Sequence, residues 1–307
     1  MSIIPELLLL FAGFFMLVKG SDWFVDGAAG IAAKFHIPQI IIGLTVVAMG
    51  TSAPEAAVSI TAALNGSADI TVGNIVGSNI LNILIILGLA SAIVPISVTK
   101  STVTVDAPFM IAVSALFLVL GWDGSVTFVE GLILLVLFIL YTGYMIREAL
   151  RSQEKGDEIK DDKLWKLLVA TVFGLALVVL GADVAVDAAT ALARIFGLSE
   201  RFIGLTVVAL GTSLPELFTS VTAARKGNAD IAIGNVVGSN IFNILFVVGL
   251  SAMIIDVPFA PNFRIDMAVA VASAVFLWVA ALKQKKLVRW HGFAMLAAYV
   301  AYFLYLL

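Results

Sequence analysis

The chain has 307 residues, 61% of them hydrophobic and only 13% charged, with a mean hydropathy of +1.09. A soluble domain is nearer half apolar and a quarter charged, so these values exclude a soluble globule and imply an integral membrane protein with many crossings. The net charge of −3 points to no nucleic-acid partner, and zero cysteines exclude disulfides and thiolate metal sites.

Apolar runs separated by short polar breaks predict ten spans, at 3–33, 38–64, 70–95, 104–121, 126–147, 164–195, 201–225, 231–256, 265–282 and 288–307. The first run lacks a basic leader region, and an equivalent segment recurs near residue 165, so it reads as a span and not a cleaved signal. Placing the N-terminus outside puts 14 of the 18 basic residues in inside loops, among them Lys34, Lys100, Arg225 and Lys226. Basic loops stay cytoplasmic, so both termini are expected outside the cell (inner) membrane. Arg147 to Lys163 mixes acids and bases and reads as a solvated cytoplasmic linker; its acidic cluster lacks the spacing and central glycine of a calcium loop.

Gly43–Val94 laid over Gly204–Ile255 without gaps matches at 32 of 52 positions, a constant offset of 161. The chain therefore divides into a first repeat (1–148), a linker (149–163) and a second repeat (164–307). Five spans per half is an odd number, so the second half crosses in the opposite sense. The expected fold is an all-α polytopic membrane protein of ten transmembrane helices in two inverted five-helix repeats. Inverted repeats belong to secondary transporters, whose site lies near the midplane between the repeats.

The most informative repeated stretch is Gly50-Thr51-Ser52-Ala53-Pro54-Glu55, which recurs as Gly211-Thr212-Ser213-Leu214-Pro215-Glu216. A mid-span proline removes a helix hydrogen bond, so spans 2 and 7 are expected to be discontinuous. In hydrocarbon, freed carbonyls must face protein or a water-filled cavity. Carbonyls of Ala48, Thr51, Ala209 and Thr212, hydroxyls of Thr51, Ser52, Thr212 and Ser213, and the carboxylates of Glu55 and Glu216 form an all-oxygen set suited to Ca²⁺ and Na⁺. Spans 3 and 8 add Asn74, Ser78 and Asn82, and Asn235, Ser239 and Asn243, each trio on one helix face. Asn74 and Asn235 read as helix–helix hydrogen bonds; Ser78, Ser239, Asn82 and Asn243 read as ligands. Gly73 with Gly77, and Gly234 with Gly238, permit close backbone approach. Ser52 to Glu55 also fits a helix capping box, a purely structural role for the glutamate.

Two ionised glutamates leave an empty site at −2, which resists passage through an occluded state unless cations neutralise it. That condition favours obligatory exchange over leak. Charge alone leaves Na⁺ and H⁺ both open as the counter-ion.

G-T-S-x-P-E followed by G-N-x-x-G-S-N-x-x-N, in two inverted copies, resembles the sodium/calcium exchangers of the cation/calcium exchanger superfamily. The resemblance covers nearly the whole chain. It implies ions held between spans 2, 3, 7 and 8, spans 1 and 6 sliding across that core, and exchange of about three Na⁺ for one Ca²⁺. It implies Ca²⁺ at Glu55, Glu216 and the carbonyls of Thr51 and Thr212. Na⁺ would use Ala48, Ser52, Ala209, Ser213, Ser78, Ser239 and the same glutamates, with Asn82 and Asn243 beside the centre. Asn243 matches the potassium-independent pattern. No cofactor, nucleotide motif or enzymatic nucleophile is expected, and the partners are the two ions and the bilayer, with the monomer as the working unit. Exchange of Ca²⁺ for H⁺, or a passive cation channel, are the alternatives.

Overall fold

The computed structural model describes residues 3–151, 163–197 and 209–306. Most of the expected linker (152–162) and the first third of the seventh predicted span (201–208) lie outside the described residues.

The described chain is almost wholly helical. In order, its helices are α1 (Ile3–Phe35), α2 (Gln39–Thr51), α3 (Ala53–Leu64), α4 (Asp69–Ile93), α5 (Thr102–Asp123) and α6 (Phe128–Arg151). After the linker come α7 (Leu164–Ile195), α8 (Ala209–Gly211), α9 (Leu214–Arg225), α10 (Ala229–Ile254), α11 (Phe263–Leu282) and α12 (Arg289–Leu306). Among the described residues seven of these are long and apolar enough to cross a membrane, and the bent pair α2/α3 makes an eighth. Where they fall on described residues, the expected boundaries hold to within a few residues. The chain is a multi-pass membrane protein.

Pro54 produces the predicted break. α2 and α3 meet at Ser52 with a bend of 49°, and the proline lies in the first turn of α3, where its missing N–H costs nothing. α3 and α9 end alike. Gly66 (φ 75°) and Gly227 (φ 81°) adopt the left-handed conformation that terminates a helix. The amides of Ser67 and Asn228 then reach back to the carbonyls of Ala62 and Ala223, at 2.8 and 2.9 Å.

The 161-residue offset recurs in contacts that sequence matching did not reveal. β1 (Ile96–Ser97) pairs antiparallel with β4 (Lys286–Leu287), and β2 (Ser125–Val126) with β3 (Val257–Pro258). Adding 161 to β1 gives β3, and adding it to β2 gives β4, so exchanging the halves maps one ribbon onto the other. α10 is the centre of the bundle, buried almost throughout, and α4 is next.

α1 and α7 run side by side on the outside of this core. Gly13, Gly20 and Gly27 recur every seven residues on α1, with Gly174 and Gly181 facing them on α7. A side chain at Gly20 would stand 2.8 Å from the Val178 nitrogen, and one at Gly181 would stand 2.8 Å from Met16 Cβ. The two helices are in backbone contact along a heptad seam, the spacing that keeps one face of each helix on the other.

Candidate ion-binding site

α2, α3, α4, α9 and α10 bring both copies of the predicted motif to one place. Glu55 and Glu216 are each completely buried, on the first turns of α3 and α9. The motif serines cross over. Ser52 donates to Glu216 Oε1 (2.8 Å), while Ser213 (3.4 Å) and Ser78 (3.2 Å) lie within reach of Glu55 Oε1. Ser78 and Ser213 hydroxyls are themselves 3.4 Å apart.

This crossing corrects the capping-box reading. Ser52 and Ser213 do occupy the N-cap positions of α3 and α9, yet neither side chain caps its own helix. Each hydroxyl instead meets the glutamate of the other repeat. Capping would satisfy an amide within one half; the observed bonds join the halves at the buried acids.

The asparagines divide into three roles. Asn74 donates to the Glu55 carbonyl (3.2 Å) and the Ser59 hydroxyl (2.9 Å); Asn235 does the same to the Glu216 carbonyl (3.4 Å) and Ser220 (2.9 Å). They are the helix–helix contacts expected, and each holds the first turn carrying its glutamate. Asn235 Oδ1 also accepts the Thr51 hydroxyl at 2.9 Å, so that hydroxyl is directed at α10.

Asn79 and Asn240 were missed by sequence reasoning. Each donates to the other's backbone carbonyl, at 3.2 and 3.1 Å, where α4 crosses α10. Their side-chain oxygens accept from the deeper pair, Asn82 to Asn240 Oδ1 (2.9 Å) and Asn243 to Asn79 Oδ1 (3.1 Å). Their presence beside Ser78 and Ser239 in the G-S-N motif was the available signal.

These bonds orient Asn82 and Asn243. Both are fully buried, and with the amide nitrogens engaged, each turns a side-chain oxygen without a partner. Glu55 Oε2 and Glu216 Oε2 are likewise buried and unpartnered. Two carboxylate and two amide oxygens, paired by the 161 offset, thus lack donors in a protein interior where such atoms are normally satisfied. Both carboxylates are met by hydroxyls; among the described residues no lysine or arginine is paired with them. Hydroxyls on Oε1 hold the carboxylates in place and leave Oε2 open to a cation. α4 and α10 each take up a wide π-helical turn beginning at Asn82 and Asn243, a backbone irregularity common at functional positions.

The remaining predicted ligands fall around this cluster. Ser239 lies 3.5 Å from the Ala48 carbonyl, which also accepts the Ser52 amide at 3.0 Å. Thr212 lines a cavity of about 570 Å³ beside the cluster, with Pro54, Ala57, Val58 and Gly211, and with Asp183 and Asp187 of α7. Ala209 opens the short helix α8. Gly234 and Gly238 meet α2 closely, as expected: a side chain at Gly238 would stand 2.7 Å from Leu44 Cα. A side chain at Gly73 would stand 3.6 Å from the Phe263 ring.

A membrane bundle with a broken helix at a buried, all-oxygen cluster is the architecture of a secondary cation transporter. The chain matches the family model described as sodium/calcium exchanger protein twice, over residues 6–147 and 166–307. It belongs to the sodium/calcium exchanger family of membrane antiporters. It is 37% identical over 285 residues to the inner membrane protein YrbG of Escherichia coli K12, covering 88% of both chains. It is 32% identical over 339 aligned residues to the sodium/calcium exchanger MaX1 of Methanosarcina acetivorans, covering 96% of both. Its structure is similar to that of the sodium-calcium exchanger NCX_Mj soaked with zero Na⁺ and Ca²⁺. That match has a TM-score of 0.89, 34% identity and full coverage of both chains.

Proposed function

We propose that this protein is an electrogenic antiporter exchanging about three Na⁺ for one Ca²⁺ by alternating access, without a K⁺ requirement. The single observation behind this reading is the set of four buried, unpartnered oxygens on Glu55, Glu216, Asn82 and Asn243. Ca²⁺ takes six to eight oxygen ligands in a flexible shell. Four side-chain oxygens, with carbonyls of Thr51 and Thr212 completing the shell, suit that demand, and the two carboxylates match its charge. Na⁺ ions would use Ser52, Ser213, Ser78, Ser239 and the carbonyls of Ala48 and Ala209 with the same glutamates. Asn243 carries no charge, so the site holds −2 and loaded states carry zero or +1.

In this reading the chain crosses the inner membrane ten times, as two inverted halves of five, with both termini outside. The 161-residue correspondence of the ribbons, serine–glutamate bonds and asparagine pairs supports two equivalent halves. The cavity lined by Asp183 and Asp187 then opens outward. The protein acts as a monomer, with α1 and α7 sliding across the ion-bearing core.

The test is ⁴⁵Ca²⁺ uptake into proteoliposomes loaded with Na⁺. Uptake should require the outward Na⁺ gradient, respond to membrane voltage and ignore K⁺. Uptake driven equally by a pH gradient without Na⁺ would overturn the assignment in favour of Ca²⁺/H⁺ exchange. Uptake with no counter-ion would indicate a channel.

A further inference from the structure

The two halves match closely around the ion site, and they differ where the access paths begin. On α7, Asp183 and Asp187 are exposed and line the open cavity. Their equivalents on α1, Asp22 and Asp26, carry a bound cation of the protein's own. Lys226 Nζ lies 2.9 Å from Asp26 Oδ1 and 3.2 Å from Asp22 Oδ1, and donates to the Asp22 carbonyl at 3.0 Å. Lys226 sits just beyond the C-terminus of α9. Its equivalent beyond α3 is Asn65, which cannot supply that charge.

A second observation lies along the same closed path. Val58 of α3 lines the open cavity. Its equivalent on α9 is Thr219, fully buried, with a hydroxyl that has no hydrogen-bond partner. A hydroxyl stranded in this way costs free energy that water would relieve. Next to it, Phe218 meets Phe14 of α1 with ring centroids 6.0 Å apart. So α7 stands off α3 across a cavity, while α1 is closed on α9 over the matching surface.

We infer that Lys226 is a latch on the closed access path, a tethered cation that holds α1 against α9 until the acidic mouth at Asp22 and Asp26 is taken over by an entering ion. The inference rests on the proposed alternating-access reading and adds a positioning residue to it. The glycine seam joins α1 to α7 in backbone contact, so closure of α1 on α9 and opening of α7 from α3 occur together. Because the residue equivalent to Lys226 in the other half is Asn65, the latch has no counterpart there and biases the resting protein toward the state seen here. In the opposite state Thr219 would line a wetted cavity, and its hydroxyl would gain a partner.

The natural absence of cysteine makes a direct test available. Thr219→Cys and Val58→Cys are introduced singly, and labelling by a hydrophilic thiol reagent is timed in detergent without Na⁺ or Ca²⁺. With Lys226 present, the cysteine at 58 should label quickly and that at 219 slowly. Lys226→Asn should raise labelling at 219 about tenfold, equivalent to ~1.4 kcal/mol, and lower it at 58, whereas Lys226→Arg should change neither. Exposed ion pairs are individually weak, and two acting together can supply such a bias. Asp22→Asn with Asp26→Asn releases the latch from the other side and should reproduce the change if Lys226→Asn folds poorly. Unchanged labelling at both positions in the released proteins overturns the latch, even where Na⁺-driven Ca²⁺ uptake persists. Loss of that uptake from the unmodified protein would overturn the exchange reading, and the labelling ratio would still report on the latch.

Discussion

Glu55→Gln isolates charge from shape at the site. Gln keeps an acceptor at the Oε1 position, where the Ser78 and Ser213 hydroxyls lie within reach, and places an amide where Oε2 has no partner. It removes one of the two charges facing the ion. Removing one partner from a buried charge pair costs about 3–5 kcal/mol, so Ca²⁺ affinity should fall by about 150- to 5,000-fold. The metal-free protein should lose little, because the substitution also removes a buried charge with no paired cation. Glu55→Ala should destabilise it more, by about 1–3 kcal/mol, since two buried serines lose an acceptor. Thermal unfolding with and without Ca²⁺ reads both effects. A ligand at a hundred times its Kd stabilises by about 2.7 kcal/mol; the original protein should show that gain and Glu55→Gln should not. Affinity retained within tenfold, with uptake near the original rate, would refute Oε2 as a ligand and reduce the glutamate to a structural group.

Two further predictions concern the frame around the site. Asn79→Ala and Asn240→Ala should each lower membrane-protein stability by about 1–2 kcal/mol, and the double variant should cost less than the sum because the residues are partners; strict additivity would contradict the reciprocal pairing. Gly20→Ala places a methyl group against the Val178 nitrogen and Gly174 oxygen at 2.8 and 2.9 Å. Forcing the backbones apart should cost about 1–3 kcal/mol and slow exchange. A variant with unchanged melting and unchanged flux would argue against the close seam.

Much of the site was legible before any coordinates. A proline and a carboxylate inside an apolar run violate the ordinary rules of a membrane helix, and finding the violation twice at a fixed offset located both glutamates, the broken helix at Pro54 and the serine–asparagine faces opposite them. Local chemistry of this kind is written in neighbouring residues, as are the helices, since 20 apolar residues in a bilayer have few alternatives. Sequence alone also separated Asn74 and Asn235 from the deeper asparagines by their depth along the span.

Partner choice across the halves was not legible, because residues far apart in the chain meet only when the bundle forms. The serine next to Glu55 could equally have capped its own helix; tertiary packing sent its hydroxyl to Glu216. The amide groups of Asn82 and Asn243 could have been turned either way; the Asn79–Asn240 pair engages their nitrogens and leaves their buried oxygens without partners. Glycines spaced by seven on α1 gained meaning only when α7 lay against them. The asymmetry of the two mouths was equally hidden. Lys226 looked like one more basic loop residue, and only the packing of α9 on α1 placed its charge on Asp22 and Asp26. The sequence by itself determined which groups could bind cations and that they come in two copies. The tertiary structure decided which oxygens are left open and which mouth is closed, because both depend on contacts between the halves.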